Sequence, residues 1–553
     1  MAPTAVLSDS TPDNEKQILD GIHAQFELGD DALSSIVNQL LTEFRLGLSE
    51  YNHPLAMIPT FVTGVPDGSE TGTFLALDLG GTNLRVCEVQ LLGDHKFTLR
   101  QQKYRVSDAL KTGEASALFD YLADSVDAFL TEFVSSPTNA PADPFAASQS
   151  AIDSLDPDAT TAIPLGLTFS FPVEQTALDE GKILTWTKGF SAKNAVGNDV
   201  VKLLQDAFDR KHLHVQCVAL VNDTVGALLS RAYTAGGCIL GAIFGTGTNG
   251  AYVENVEKIT KLGNHPARKH GGDMVINCEW GAFNNSKSVL PITPFDQKLD
   301  RESINPRLQC FEKFISGMYL GEITRNILLS LIDAVPKPLL FNGRSSSDLN
   351  KHYGLDTAIV SEIEVAWEKD RALSCGEKNV DGGDAISNPS SASEPVAVDG
   401  DIHHFTEVEK LIPEDQARLE RIRTILIQRL NLDAEHVSLR DAAIVRWAAS
   451  LVANRAAKMS ACAVAAILIQ TERAELGGGF VPKDEHIVVG VDGSLIEHYP
   501  NFNTHLRETL RKLVGEEVEK RVDIGMAKDG SGVGAALCAL QAVKQGLLRH
   551  EVQ

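Results

Sequence analysis

The residues of this sequence best suited to chemistry lie in two glycine-rich turns. The first spans Asp78 to Asn83 (DLGGTN), and a similar turn spans Gly245 to Asn249 (GTGTN). Glycine lets the backbone approach a phosphate and present consecutive amide hydrogens to it, and Thr82, Thr248 and Arg85 can add hydroxyl and guanidinium donors. The two turns therefore predict a duplicated nucleotide-binding architecture.

The setting of these turns argues against a dinucleotide-binding loop. In such a loop the glycines would open a helix, with an acidic residue about 20 positions further on, whereas both turns here stand between apolar, strand-like segments. An ordinary tight hairpin remains the alternative for either turn alone, and the recurrence of the turn with its flanking strands favours phosphate binding. Asp78, at the end of its strand, is placed to hold a hydrated magnesium ion.

Asp223 is the candidate base. It follows the apolar segment from Val215 to Leu220, which places a carboxylate at the C-terminal end of a strand, where open α/β sheets bind ligands. Transfer of a phosphoryl group from ATP to an alcohol needs a carboxylate within hydrogen-bond reach of the hydroxyl. The alternative is an Asx turn that closes the strand.

Four further stretches combine amides, carboxylates or hydroxyls with aromatic or glycine residues. Such groups suit a sugar, because each sugar hydroxyl both donates and accepts a hydrogen bond. Taken alone, Glu279 and Glu312 are equally consistent with surface carboxylates, and Lys188 with a solvated cation. The stretches are 170–172 (SFP), 187–190 (TKGF), 277–281 (NCEWG) and 311–313 (FEK).

Glycines near the C-terminus form a third candidate anion site. The segment 529–534 (DGSGVG) precedes an apolar helix predicted over 535–548, so backbone amides and the positive helix end can face an anion or a nucleotide ribose and base. Its expected partner is 490–494 (GVDGS), a strand that ends in a glycine-rich turn. A plain strand-end turn is the alternative for that second segment.

Apolar spacing predicts the elements that position these residues. Strands over 73–77 and 84–91 flank the first turn, and strands over 239–244 and 251–256 flank the second, so each turn should close a hairpin. Other predicted elements are a flexible tail over 1–15, helical patterns over 16–49, 115–133 and 414–471, strands over 163–168 and 487–491, a surface insertion over 135–160 and a disordered loop over 374–402.

Composition limits the possible partners and compartment. With 553 residues, 43% of them hydrophobic, the chain should form two or more domains, and no uninterrupted apolar run approaches the length of a membrane span. The polar N-terminus and the eight scattered cysteines favour a cytoplasmic protein. A net charge of -24 argues against nucleic acid or an anionic membrane as a partner, although a local nest of amides can still bind an anionic nucleotide.

Taken in order, the motifs resemble the eukaryotic hexokinase family over 17–542, apart from the loop at 374–402. The phrases at 311–322 (FEKFISGMYLGE), 465–469 (AAILI) and 527–540 (AKDGSGVGAALCAL) are most similar to fungal glucokinases. The motifs that carry the family resemblance are LDLGGTN at 77–83, LGLTFSFP at 165–172, TWTKGF at 185–190, LVNDTVG at 220–226, GTGTN at 245–249, NCEWGAF at 277–283 and GVDGS at 490–494.

The resemblance implies an α/β fold of two ribonuclease-H-like domains of the actin and sugar-kinase type, with the active site in the cleft between them. The small domain would span 71–221 and be completed by a C-terminal helix over 533–553, and the large domain would span 222–532. A helical segment over 16–70 would pack on the large domain.

The resemblance also implies roles for single residues. Asp223 would be the general base, assisted by Lys188, and Asp78 would hold magnesium through water. The hexose would be bound by Ser170, Phe171, Thr187, Lys188, Asn222, Asp223, Asn249, Glu279 and Glu312. ATP would be bound by Asp78, Gly80, Gly81, Thr82, Asn83, Arg85, Gly245, Thr246, Gly247, Thr248, Gly493, Ser494, Gly530 and Ser531.

The implied reaction is phosphorylation of glucose by ATP at the 6-hydroxyl, the first step of glycolysis, with ATP and Mg²⁺ as cofactors and mannose or fructose as further candidate substrates. Two alternatives stay open: a non-catalytic, sugar-sensing regulator, and a kinase for another hexose such as N-acetylglucosamine. One segment departs from the family: Asn305 to Gln309 reads NPRLQ where hexokinases usually read NPGQQ, which puts the sugar preference near Glu312 in question. The expected state is a cytoplasmic monomer or homodimer.

Overall fold

A computed structural model describes residues 11–81, 83–134, 162–186, 189–269, 271–369, 402–479 and 486–548. The predicted insertion over 135–160 lies outside these residues, as does the predicted loop over 374–402 except for its last residue, Ile402, which begins a helix. Three predicted site residues also lie outside them, namely Thr82, Thr187 and Lys188.

The strands confirm both predicted hairpins, because β2 pairs antiparallel with β3 and β9 pairs antiparallel with β10. The strands are β1 Ile58–Pro59, β2 Thr71–Leu79, β3 Asn83–Gly93, β4 Lys96–Arg105, β5 Ile163–Phe169, β6 Val173–Ala177, β7 Glu180–Ile183, β8 Val215–Val221, β9 Leu240–Phe244, β10 Thr248–Asn255, β11 Asp273–Asn277, β12 Ile487–Asp492 and β13 Val522–Met526.

Within the described residues these strands form two main sheets. The five-stranded sheet has the order β4-β3-β2-β5-β8, and the six-stranded sheet has the order β1-β11-β10-β9-β12-β13. In each sheet the hairpin lies beside parallel strands: β5 runs parallel to β2, and β12 runs parallel to β9. The two glycine-rich turns therefore occupy equivalent positions, each at the carboxyl end of a strand with a parallel neighbour.

The helices surround these sheets. They are α1 Thr11–Phe26, α2 Asp30–Ser49, α3 Asp108–Thr112, α4 Ala115–Val134, α5 Val200–Arg210, α6 Asp223–Ala235, α7 Pro266–Lys269, α8 Pro294–Glu302, α9 Cys310–Ile315, α10 Gly317–Ile332, α11 Ser347–Asn350, α12 Thr357–Glu368, α13 Ile402–Thr406, α14 Pro413–Arg429, α15 Leu439–Gln470, α16 Ser494–His498, α17 Phe502–Val514, α18 Glu516–Glu519 and α19 Gly530–Lys544.

Several predicted boundaries are wrong. Helix α1 begins at Thr11, so the predicted tail is helical over its last five positions, 11–15. The helical pattern over 414–471 is divided between α14 and α15. The C-terminal helix begins at Gly530, so the glycines predicted to precede it form its first turn. It ends at Lys544 rather than continuing to 553.

Local sequence explains how the site helix α6 begins and ends. Asn222 caps its N-terminus, since the side chain accepts a hydrogen bond from the amide of Thr224, and Gly236 ends it with a φ of 79° in the left-handed region that favours glycine. The strand β8 and this cap together place Asp223 in the first turn of the helix. The predicted position of Asp223 at the end of a strand is confirmed.

Helix α19 crosses α6 at glycines. It packs on β2, β5 and β8 of the five-stranded sheet as well as on α6. A Cβ atom at Gly534 would lie 2.2 Å from the Cα of Gly226, so the two backbones meet with no room for a side chain. This close crossing joins the five-stranded sheet to the helix that carries Asp223.

Helix α15 forms the centre of the helical layer beside the six-stranded sheet. By length and composition it is apolar enough to cross a membrane, but 83% of its most apolar stretch is buried inside the fold. Ser438 and Asp441 form a capping box at its start, which satisfies backbone amides of the first turn. Its apolar character is therefore explained by packing against α2, α14 and α17.

Candidate active site

The first glycine-rich turn joins β2 to β3 with Asp78 and Arg85 facing each other. Arg85 donates to the Asp78 carboxylate through Nε, at 2.9 Å, and through Nη2. Gly80 and Gly81 form the turn, and Gly80 donates its amide to the carbonyl of Asn83 at 3.1 Å. Asn83 is the first residue of β3 rather than part of the turn.

Asp78 and Arg85 form a partly buried ion pair at the turn. Burial alone lowers the pKa of Arg85, but the carboxylate of Asp78 outweighs it and leaves the pKa above its ordinary value. The Asp78 side chain is 8% exposed. A cation that approaches Asp78 would therefore share this carboxylate with Arg85.

Helix α10 supports the second glycine-rich turn through backbone hydrogen bonds. The carbonyls of Gly245 and Thr246 accept hydrogen bonds from the amides of Gly317 and Met318, at 2.7 and 3.2 Å. Gly245 also donates its amide to the carbonyl of Gly247 at 3.0 Å. Thr246 is exposed at the tip of the turn.

Thr248 faces the opposite way. It begins β10 and is 3% exposed, and its hydroxyl accepts a hydrogen bond from the Trp280 indole at 3.1 Å. Its amide donates to Oε2 of Glu312 at 3.2 Å. Of the two threonines, Thr246 is thus the exposed one, and Thr248 links the turn to Glu312.

Asp223 lies beside a network of amide side chains. Its Oδ1 accepts a hydrogen bond from the amide of Thr224 at 2.9 Å, and Asn222 accepts from the same amide and from the Thr224 hydroxyl, at 3.0 and 2.6 Å. Asn249 reaches toward this pair, with Nδ2 3.5 Å from the Asn222 Oδ1. The Asx-type turn foreseen as an alternative is present at Asn222, and Asp223 follows it as the first residue of α6.

Asn277 connects Asn249 with Glu279. It accepts a hydrogen bond from Asn249 Nδ2 at 2.8 Å and donates to Glu279 Oε1 at 2.9 Å. Glu279 adopts a φ of 55°, an uncommon backbone conformation for a residue other than glycine. Asn277 begins the predicted sugar-binding stretch 277–281, but it is not among the residues that the family resemblance assigns to the hexose; its place two residues before Glu279 is the signal that identifies it.

The residues after β5 divide between the site and the core. Ser170 follows β5 directly and is half-buried. Phe171 is 2% exposed and packs on the rings of Phe169, Trp186 and Phe190, with centroids 4.8 to 5.0 Å apart. The ring of Phe171 therefore belongs to an aromatic cluster and packs on Trp186, the residue before Thr187.

The C-terminal glycines are placed beside both turns. Gly493, with a φ of 115°, lies next to Gly245: a Cβ on Gly245 would be 3.1 Å from its Cα. At the start of α19, the carbonyl of Ser531 accepts a hydrogen bond from the Thr168 hydroxyl at 2.8 Å. Gly530 is buried against Ala227 of α6. Gly493 thus borders the second glycine-rich turn, and Ser531 contacts Thr168 of β5, the strand that pairs with β2 at Asp78.

Asp492 is a second residue that the sequence analysis did not select. Burial raises the pKa of this carboxyl, the negative charges of Asp223 and Glu497 raise it further, and Arg85 lowers it. The Asp492 carboxyl is therefore within electrostatic reach of both Asp223 and Arg85. Its signal in the sequence is the acidic residue within GVDGS.

Replacing Asp492 with asparagine is expected to stabilise the protein at pH 7 by roughly 0.5–2 kcal/mol. The folded protein holds the Asp492 proton more tightly than the unfolded chain, so wild-type stability falls as the pH rises from 3.8 through the raised pKa. Asparagine lacks this loss and keeps an acceptor for the Gly493 amide. Urea unfolding at several pH values checks the effect, which should vanish near pH 4; an equal difference at pH 4 and pH 7 would contradict it.

The carboxylates of the site suit a hydrated cation. Among the residues that the structure describes, no group of three or more His, Cys, Asp and Glu side chains could hold a metal ion. Magnesium usually keeps several waters and binds through one or two carboxylates together with substrate phosphates. Asp78, at the first turn, fits that mode of binding.

Comparison with known proteins gives a consistent result. Two family models described as hexokinase match residues 18–233 and residues 239–382 with 384–541. The glucokinase of Aspergillus niger is 38% identical over 541 residues, covering 95% of this chain and 96% of the relative. Glucokinase-1 of Saccharomyces cerevisiae is 35% identical over 564 residues, covering 95% and 97%.

A solved structure shares the fold. The hexokinase from Schistosoma mansoni complexed with glucose has a TM-score of 0.72 at 30% identity, covering 96% of this chain and 99% of that one. The predicted α/β fold of two sugar-kinase domains is therefore confirmed. Since the family models match well over half of the sequence and the relatives align over nearly all of it, the chain belongs to the hexokinase family.

Proposed function

We propose that this protein transfers the γ-phosphoryl group of ATP to the 6-hydroxyl of glucose, with Asp223 as the general base. The observation that carries the proposal is the network of Asn222, Asn249, Asn277 and Glu279 beside Asp223, adjoining the glycine-rich turns. Amides and carboxylates of this kind suit a polyhydroxyl substrate.

The proposed chemistry follows from the position of Asp223. Its carboxylate would accept the proton of the sugar hydroxyl while the new bond from that oxygen to the γ-phosphorus forms and the bond to the β-phosphate oxygen breaks. The hydrogen bond from the Thr224 amide fixes the carboxylate at the start of α6. Ser170, Thr187, Lys188, Asn222, Asn249, Glu279 and Glu312 would hold the sugar.

The two glycine-rich turns would bind the phosphates of ATP. The donors would be the backbone amides of the turns, the exposed Thr246 hydroxyl and Arg85, and the segments at Gly493–Ser494 and Gly530–Ser531 would border the adenosine. Magnesium bound with ATP would neutralise charge on the transferring phosphoryl group, and Asp78 would hold it through water.

Water is the competing acceptor, because it is smaller than the sugar and could be phosphorylated in its place. Sugar binding should therefore drive a closure of the two domains that completes the site only when the sugar is present. The boundary between the small and the large domain would lie between 221 and 222, where the chain passes from β8 to α6.

The segment before α9 bears on the hexose preference. The segment 305–309 departs from the usual family pattern, and Arg307 adopts a φ of 65° where the family has glycine. This segment leads directly into α9, which carries Glu312. A kinase for another hexose therefore remains the second candidate function.

A panel of sugars distinguishes the candidates. We expect ADP release, measured with a coupled assay, to be most efficient with glucose and weaker with mannose and fructose. A higher kcat/KM for N-acetylglucosamine would favour the second candidate. If every sugar binds and none promotes ADP release, the protein is a sugar-sensing regulator and the proposed activity is wrong.

The surroundings of the reaction are also proposed. The net charge of -24 argues against a nucleic acid or an anionic membrane as a partner. The protein would act in the cytoplasm, as a monomer or homodimer, at the entry of glucose into glycolysis.

A further inference from the structure

Helix α9 presents two adjacent charged residues to different surroundings. Glu312 faces the second glycine-rich turn, where its Oε2 accepts the Thr248 amide at 3.2 Å and would lie 3.0 Å from a Cβ at Gly247. Lys313 is 4% exposed and faces a buried carboxylate instead. Consecutive residues of a helix point about 100° apart. Because this angle is fixed, contacts that hold Lys313 in place also set the direction of Glu312.

Asp300, near the end of α8, is the partner of Lys313. The Lys313 ammonium donates to Asp300 Oδ1 at 2.7 Å and to the carbonyl of Asn305 at 2.8 Å. Asp300 also accepts hydrogen bonds from Lys287, at 2.5 Å, and from the amide of Arg307, at 3.0 Å. One carboxylate thus joins α8, the 284–287 turn, the segment 305–309 and α9.

The charges in this group support one another. Burial alone raises the pKa of Asp300, but the hydrogen bonds from Lys287 and Lys313 outweigh it and lower the pKa below its ordinary value. Asp300 is 8% exposed, and removal of one cation would leave a buried charge poorly compensated. The arrangement therefore holds its geometry firmly.

Helix α9 needs such support because it is short. It has six residues, too few for a stable helix on its own, and its N-cap Gln309 adopts a φ of 52°. The preceding Arg307, with a φ of 65°, is held through its amide by Asp300. The Gln309 side chain also abuts Gly281, two residues after Glu279, where a Cβ would lie 2.4 Å from its Oε1.

We infer that Asp300 and Lys313 are positioning residues for sugar recognition, which hold α9 so that Glu312 keeps its place in the hexose site. The inference rests on the proposed role of Glu312 in binding the sugar. It also explains how this chain tolerates Arg307 in the segment where hexokinases usually have glycine: the Asp300 carboxylate fixes the backbone there.

The decisive measurement is the KM for glucose and kcat of the full-length Lys313→Met variant. We expect the glucose KM to rise about tenfold, with kcat and the KM for ATP within about threefold of wild type, because the loss falls on sugar binding. Lys313→Arg, which keeps the charge, should recover most of the affinity. Lys287→Met removes a half-buried donor to Asp300 and should raise the glucose KM less.

A matched control separates positioning from loss of stability. Arg446 and Glu364 form another buried ion pair, between α15 and α12, with side chains 5% and 6% exposed. Arg446→Met should lower the melting temperature about as much as Lys313→Met and leave the glucose KM unchanged. Equal changes of the glucose KM in both variants would overturn the inference, and so would a wild-type glucose KM in Lys313→Met. If Lys313→Met does not fold, Lys313→Arg and Lys287→Met decide by the same comparison.

Glu312→Gln distinguishes failure of the inference from failure of the role on which it rests. We expect this variant to raise the glucose KM, and the double variant Glu312→Gln with Lys313→Met to show much less than the product of the two effects. A wild-type glucose KM in Glu312→Gln would overturn the role of Glu312 and the inference with it. A raised KM in Glu312→Gln together with fully multiplicative effects would overturn the positioning alone.

Discussion

The Asp223→Ala variant is expected to fold and bind glucose but to turn over at least about a hundredfold more slowly, the typical contribution of general-base catalysis. Asp223 is the carboxylate beside the Asn222 and Asn249 amides, and its removal leaves the sugar hydroxyl without a proton acceptor. Turnover is measured by coupled ADP release, and glucose binding by calorimetry.

Asp223→Asn makes the test sharper. Its side-chain oxygen can still accept the Thr224 amide, which wild type binds at 2.9 Å, so the start of α6 should keep its stability. Its amide cannot take a proton, and activity should be lost as in Asp223→Ala. Near-normal turnover in either variant would show that Asp223 is not the base.

The Gly534→Ala variant is expected to lose about 3 kcal/mol or more of folding stability. The new methyl group would lie 2.2 Å from the Cα and 2.7 Å from the carbonyl oxygen of Gly226, and neither backbone atom can turn aside as a side chain can. The helices α6 and α19 must then separate. Urea unfolding of the variant and wild type measures the loss.

Gly532→Ala is the matched control in the same helix. A methyl group there would meet the Cys87 sulfur at 3.4 Å, an ordinary contact. Because alanine favours a helix over glycine, this variant should be unchanged or up to about 1 kcal/mol more stable. Equal losses in the two variants would mean that the close crossing does not explain the requirement for glycine.

Closely spaced residues made much of the site predictable. Glycine-rich turns between apolar, strand-like segments specify hairpins through backbone preferences that act over a few residues, and both hairpins formed. The apolar strand before Asn222 likewise determined where Asp223 stands. Helix ends were less predictable, as the glycines at the start of α19 show, because packing against α6 overrides their low helix propensity.

Side-chain directions within the motifs were not predictable in the same way. Thr246 and Thr248 belong to the same glycine-rich turn in the sequence. The Thr248 hydroxyl nevertheless points inward, where it accepts a hydrogen bond from Trp280, a residue of another loop. Phe171 lies in a motif that suggests the site, but its ring joins an aromatic cluster. These choices depend on neighbours that come from distant parts of the chain.

The sequence alone determined the family, the two glycine-rich turns and the candidate base, because these depend on residue types at short spacing. Only the tertiary structure decided that Arg85 pairs with Asp78, that Asn277 joins Asn249 to Glu279, and that Asp300 holds the helix of Glu312. The physical reason is range: backbone preferences act between neighbours, whereas hydrogen bonds and ion pairs between distant segments form only after packing has brought those segments together.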